Sequence, residues 1–171
     1  MRGHSRLYQN TSSRYLNTPQ REIRMLDLTL AKLNLKKKNL TLSIVKDGKV
    51  LFETRSHGII GLLQAIEKLG KELMESSVAD KIVGRAAALL CAYSGVVSVF
   101  AVTISEEGRR VLEDNNILYQ FEKQVLNILN NKRTDLCPFE KLTAGLTNLK
   151  EAYETMKSFM STLRVSYDSL E

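Results

Sequence analysis

Residues 80–104 constrain the fold most. Asp80-Lys81-Ile82-Val83-Gly84-Arg85-Ala86-Ala87-Ala88-Leu89-Leu90-Cys91-Ala92-Tyr93-Ser94-Gly95 runs straight into Val96-Val97-Ser98-Val99-Phe100-Ala101-Val102-Thr103-Ile104. Residues 80–93 read as a helix that is apolar nearly all round, with Asp80 at its N-cap or first turn and Gly95 ending it. A helix without a wide polar face is buried on more than one side. Gly84 and the three alanines are small enough for another backbone to approach closely. Residues 96–104 are β-rich and apolar without clean alternation, as in a central strand covered on both faces. A buried helix feeding a central strand is the middle of an α/β layer fold.

The rest of the chain supplies the layers. Leu40-Thr41-Leu42-Ser43-Ile44-Val45 and Val50-Leu51-Phe52-Glu53-Thr54 are strands joined across Asp47-Gly48, a hairpin turn of the primed type. A helix follows from about Ile59 to Glu72, with Ile59, Ile60, Leu62, Leu63, Ile66 and Leu69 on its buried face. Residues 73–79 read as a loop. Ser105 caps a helix that carries Glu106 and Glu107 in its first turn. Tyr119-Gln120-Phe121-Glu122 reads as a strand and Val125 to Leu129 as a helical turn. Pro138 opens a further helix and Leu149 to Leu163 forms a last amphipathic one. Ahead of all these, Glu22 to Leu35 is helical, with Met25, Leu26, Leu30 and Leu33 as its apolar stripe.

The 171 residues suit one domain with a real core, expected over residues 25–164. Residues 1–24 are polar, rich in Arg, Ser and Asn, and expected to be a disordered extension. No apolar region follows the early arginines, so no secretory signal is read there. A transit-type leader, or a true start at Met25, stays open. Residues 165–171 are expected to fray. No run reaches membrane length.

Charge is unevenly spread. Residues 1–40 hold nine Lys and Arg against two acids, while residues 41–171 hold sixteen against seventeen. The folded body is nearly neutral, which argues against a nucleic-acid-binding domain. Cys91 and Cys137 are the only cysteines and fit a reducing cytoplasm. With His4 and His57 as the only histidines, no metal site is expected and no cofactor is implied. His57 reads as a capping or surface residue, and Lys36-Lys37-Lys38 as a solvated helix end.

Three motifs carry a resemblance. Lys46-Asp47-Gly48-Lys49-Val50-Leu51-Phe52, Asp80-Lys81-Ile82-Val83-Gly84-Arg85-Ala86-Ala87-Ala88 and Leu136-Cys137-Pro138-Phe139-Glu140-Lys141-Leu142 resemble DUF1893, a small prokaryotic family of unknown function. The resemblance covers roughly residues 25–160. It implies a cytidine-deaminase-like fold, a three-layer α-β-α sandwich around a mixed sheet. It does not imply deamination. Zinc deaminases need a His or Cys ligand with a Glu on one helix and a Pro-Cys-x-x-Cys pair opening the next. The corresponding segments here, Lys81 to Ala92 and Ser105-Glu106-Glu107-Gly108, hold neither motif, which argues against zinc.

That fold directs attention to the start of the central helix and the end of the central strand. Asp80, Lys81, Gly84, Arg85, Thr103 and Ser105 are the expected ligand-binding residues there. Lys81 and Arg85, spaced i, i+4, share a helical face and supply positive charge; the alternative is that they form salt bridges or extend to solvent. Free N–H groups at the helix starts suit phosphate or carboxylate. Cys137, Lys81 and Glu140 are the catalytic candidates. Cys137 stands at a helix N-terminus that favours its thiolate, or is a small buried side chain beside Pro138. Cys91 belongs to the core. Three functions stay open: a protein binding a nucleotide or phosphorylated small molecule, a metal-free enzyme using Cys137 or Lys81, and a homo-oligomeric interaction protein.

Overall fold

The hairpin sets one edge of the sheet. In the computed structural model, which describes residues 6–8 and 18–168, β2 (Leu42–Lys46) and β3 (Lys49–Thr54) pair antiparallel. The turn places Asp47 at φ 50° and Gly48 at φ 73°, the left-handed pair that a primed turn requires. Both turn amides donate to the buried carboxylate of Asp27, at 2.8 Å each. Asp27 lies in α1 (Thr18–Lys37), so one acid pins the hairpin to the first helix.

The sheet has six strands in the order β1-β6-β5-β4-β2-β3. Its centre is β4 (Ser77–Val83), antiparallel to β2 and parallel to β5 (Ser98–Ser105). Beyond β5 lie β6 (Leu118–Val125), parallel to it, and β1 (Arg6–Tyr8), antiparallel to β6. The mixed sheet with helices on both faces is the three-layer α-β-α sandwich expected from the sequence.

The central segment differs from its sequence reading. Residues 77–83 are a strand, not a loop followed by a helix start, and the helix α3 (Arg85–Tyr93) begins only after Gly84. Asp80 is therefore not a helix cap. Its Oδ1 accepts the N–H of Ile82 at 3.0 Å within the strand, the same local bond a capping acid would make. Lys81 and Arg85 do not share a helical face, because one lies in β4 and the other opens α3.

The two faces of the sheet are covered unequally. Among the described residues, α1 alone covers one face, with Leu28, Ala31 and Leu35 packed on Val45, Ala79 and Phe100. On the other face, α2 (Ile60–Leu69), α3 and α4 (Glu106–Asp114) form the inner layer. Outside them lie α5 (Pro138–Thr143) and α6 (Leu149–Asp168); Ala152 and Met156 of α6 are fully buried against this cluster. The alanines of α3 allow that close stacking.

Several boundaries move. The apolar stripe read in α1 faces outward: Leu26 is 68% exposed and Leu33 is 60% exposed. α1 starts at Thr18 and β1 lies at residues 6–8, both inside the stretch expected to be disordered; the remainder of residues 1–17 lies outside the described residues. α6 runs to Asp168, past the expected end, and residues 169–171 lie outside the described residues. Residues 125–129 end β6 and enter a loop instead of forming a helical turn, with a lone bridge pairing Leu129 and Leu136.

Candidate functional site

Parallel strands bring the starts of their following helices side by side. β4 leads through Gly84 into α3, and β5 leads through Ser105 into α4. The two starts touch: a Cβ on Gly108 would lie 2.6 Å from the carbonyl oxygen of Val83 and 3.0 Å from that of Gly84. Ser105 is engaged as the N-cap of α4, its Oγ accepting the N–H of Gly108 at 3.0 Å. This corner lies outside the carboxyl ends of the parallel strands β4 and β5.

Glu140 fills the expected anion seat. One carboxylate oxygen accepts the N–H of Arg85 at 3.0 Å and the other accepts the N–H of Ala86 at 3.1 Å. These are first-turn amides with no partner inside their own helix. A carboxylate there also meets the positive end of the helix dipole. Gly84 leaves the room, since a Cβ at that position would lie 2.5 Å from the Glu140 carboxylate. Burial nevertheless raises the Glu140 carboxyl above its ordinary pKa. The two amides and the Arg85 charge pull it back, and Glu107 adds to the rise.

Arg85 ties the same corner together. Its Nε donates to the carbonyl of Thr143 at 2.9 Å, and Nη2 donates to the carbonyl of Leu146 at 2.5 Å. Nη1 meets Glu107 at 3.2 Å. Glu107 is held from its other side by Arg110 at 2.6 Å. Over these groups opens a cleft of about 360 Å³ lined by Arg85, Glu107, Asn127, Leu136, Glu140, Ala144 and Gly145.

The residues expected at the site divide sharply. Gly84, Arg85 and Glu140 come together, with Ser105 structural beside them. Asp80 does not reach the cleft; it is 8% exposed inside the sheet, and burial pushes its carboxyl up to about 7 against the pull of the Ile82 and Lys81 amides. Lys81 instead donates to Asn39, just past the end of α1, at 3.0 Å. Thr103 sits in strand register with Ile82 and Lys123 and does not line the cleft. Cys137 is the N-cap residue of α5, with a backbone N–H bonded to Ile128 and no side-chain capping bond. Cys91 is buried in α3, and burial pushes its thiol far up. His57 is exposed before α2.

Glu107, Asn127 and the carbonyls of Thr143 and Leu146 were not singled out from the sequence. The first-turn position of Glu107 was legible. Its meeting with Arg85 follows only from the parallel pairing of β4 and β5.

A zinc site of the deaminase type does not fit these residues. The start of α3 carries a guanidinium and the start of α4 carries Ser105-Glu106-Glu107, so neither offers a His or Cys ligand. Among the described residues no three His, Cys, Asp or Glu side chains converge as a metal-binding group.

Fold and site together define a class: an α/β sandwich in which a glutamate from a later helix caps the first amides of the helix that follows the central strand. The chain belongs to the DUF1893 family, a domain of unknown function whose model matches residues 30–160. A DUF1893 family protein from Thermotoga maritima superposes with a TM-score of 0.72 at 24% identity, covering 78% of this chain and 89% of that one. The apo dCMP deaminase of cyanophage S-TIM5 matches at a TM-score of 0.41 and 16% identity, over 61% of this chain and 98% of that chain. RibD of Acinetobacter baumannii matches at 0.40 and 17%, over 60% and 35%. Likenesses as distant as these last two carry nothing about chemistry. No curated protein matches the chain.

Proposed function

We propose that the chain binds a small phosphorylated ligand, a nucleotide or another phosphometabolite, in the cleft, and that the ligand's phosphate takes over the seat held by Glu140. The supporting observation is the pair of hydrogen bonds from the Arg85 and Ala86 amides to the Glu140 carboxylate. The seat is built for an oxyanion, and the Arg85 guanidinium stands beside it. A phosphate brings more acceptor oxygens to the two amides and to the Arg85 guanidinium than the carboxylate does. The cleft volume of about 360 Å³ lies within the range of small-ligand sites.

Lys81 and Cys137 lie outside the cleft lining, so a metal-free enzyme built on either has no support from the geometry. We assign the chain to a reducing, cytoplasmic setting, a reading supported by its two free cysteines. No helix among the described residues is long and apolar enough to cross a membrane.

The test is thermal stabilisation by inorganic phosphate, pyrophosphate and nucleoside mono- and diphosphates, on the wild type and on Glu140→Ala. At least one ligand should raise the melting temperature of the wild type, and the same ligand should raise that of Glu140→Ala further. If no phosphate compound stabilises either protein, the reading is wrong.

A further inference from the structure

α1 carries apolar side chains on two sides. Leu28, Ala31 and Leu35 face the sheet, while Ile23 (48% exposed), Leu26 and Leu33 face outward; Leu30, at the edge of this outer face, is half-buried and packs in part against the inner cluster. The outer set, Ile23, Leu26, Leu30 and Leu33, recurs at intervals of three, four and three residues, the spacing of a helix-pairing seam. No element among the described residues packs over it: α1 makes its main contacts with the strands of the sheet, and the other helices lie across that sheet.

We propose that this face is a dimer interface, occupied by α1 of a second copy of the chain running antiparallel. The interval order reads the same in both directions, so a two-fold axis between Leu26 and Leu30 is self-complementary. It sets Ile23 against the partner's Leu33 and Leu26 against the partner's Leu30. A closed isologous contact of this kind is the commonest form of homodimer.

Charge agrees with the antiparallel sense. Glu22 is exposed at the N-terminal end of the seam and has no ion pair among the described residues. Lys37 is exposed at the C-terminal end and is likewise unpaired, while its neighbour Lys36 meets Glu122. Antiparallel pairing brings each Glu22 to the end of the partner helix that carries its Lys37, twice over by symmetry. A parallel pair would set Glu22 beside Glu22 and Lys37 beside Lys37. The antiparallel arrangement also opposes the two helix dipoles.

Sedimentation velocity of the full chain over a concentration series tests the proposal. The wild type should dimerise. Leu26→Glu with Leu33→Glu should weaken the dimer by more than about tenfold, since a charge forced into an apolar seam is desolvated without a partner. Both side chains are exposed in the monomer, so the far-ultraviolet circular dichroism should not change. Glu22→Lys alone should weaken association, and adding Lys37→Glu should restore it. A wild type that stays monomeric overturns the proposal; protection of the stripe in that monomer would assign it to residues 1–17. A dimer indifferent to Leu26→Glu with Leu33→Glu overturns it equally.

Discussion

Glu140 stands where a side chain on Gly84 would be: a Cβ at Gly84 would lie 2.5 Å from its Oε1. Gly108, across the same corner, is closed off differently, by the carbonyl of Val83 at 2.6 Å. One obstruction is the end of a flexible side chain and the other is backbone. Gly84→Ala should therefore expel Glu140 and leave the sheet intact, at a cost of about 1 kcal/mol. Gly108→Ala must force the β4–α3 and β5–α4 junctions apart and should cost about 3 kcal/mol. Urea unfolding of the two variants checks the order; equal losses would mean that the helix starts are not in tight contact.

Asp27 accepts two turn amides at 2.8 Å each from a buried position. Asp27→Ala leaves both turn N–H groups without their partner and should cost about 2 kcal/mol. Asp27→Asn keeps one acceptor oxygen and should lose less. Hydrogen exchange at Asp47 and Gly48 should accelerate in both variants, by more in the alanine.

The Asp80 carboxyl rises from 3.8 to about 7 through burial. Between those values the folded chain holds a proton that the unfolded chain releases. Stability is therefore greatest below the unfolded pKa, falls as pH rises through about 7, and then levels; the loss is about 1.4 kcal/mol for each pH unit crossed between the two values. Asp80→Asn keeps an acceptor for the Ile82 amide and should remove most of this slope. Glu140, also raised by burial, contributes a residual slope of the same sign. Urea midpoints at about pH 5 and about pH 8 measure it, and a wild type that gains stability over that interval contradicts the burial of Asp80 as the cause.

Much of the architecture was legible. The Asp47-Gly48 turn, the Ser105 cap and the Pro138 helix start each announce themselves by a residue whose local chemistry permits little else. Asp80-Lys81 misled for the same local reason. An acid accepting an amide two residues on looks alike in a strand and at a helix start, and only the neighbours β2 and β5 decide. α1 misled because it is apolar on two sides; period alone cannot say which side meets the sheet, and the inner one is marked by Asp27 and Ala31, neither strongly apolar. The site was legible as a neighbourhood around Gly84, Arg85, Ser105 and Glu140. That Glu140 closes the seat was not, because the bond joins residues 55 positions apart.

That span has a kinetic consequence. The parallel units from β4 to β6 can assemble from chain made before residue 140 exists, leaving the first amides of α3 open to solvent ions. The glutamate arrives from downstream and engages a corner already formed. If its bonds form after the rate-limiting barrier, they are absent from the transition state. Removing them should leave the refolding limb of a chevron plot unmoved and quicken the unfolding limb, so that Glu140 governs how long the native corner lasts and not how fast it forms.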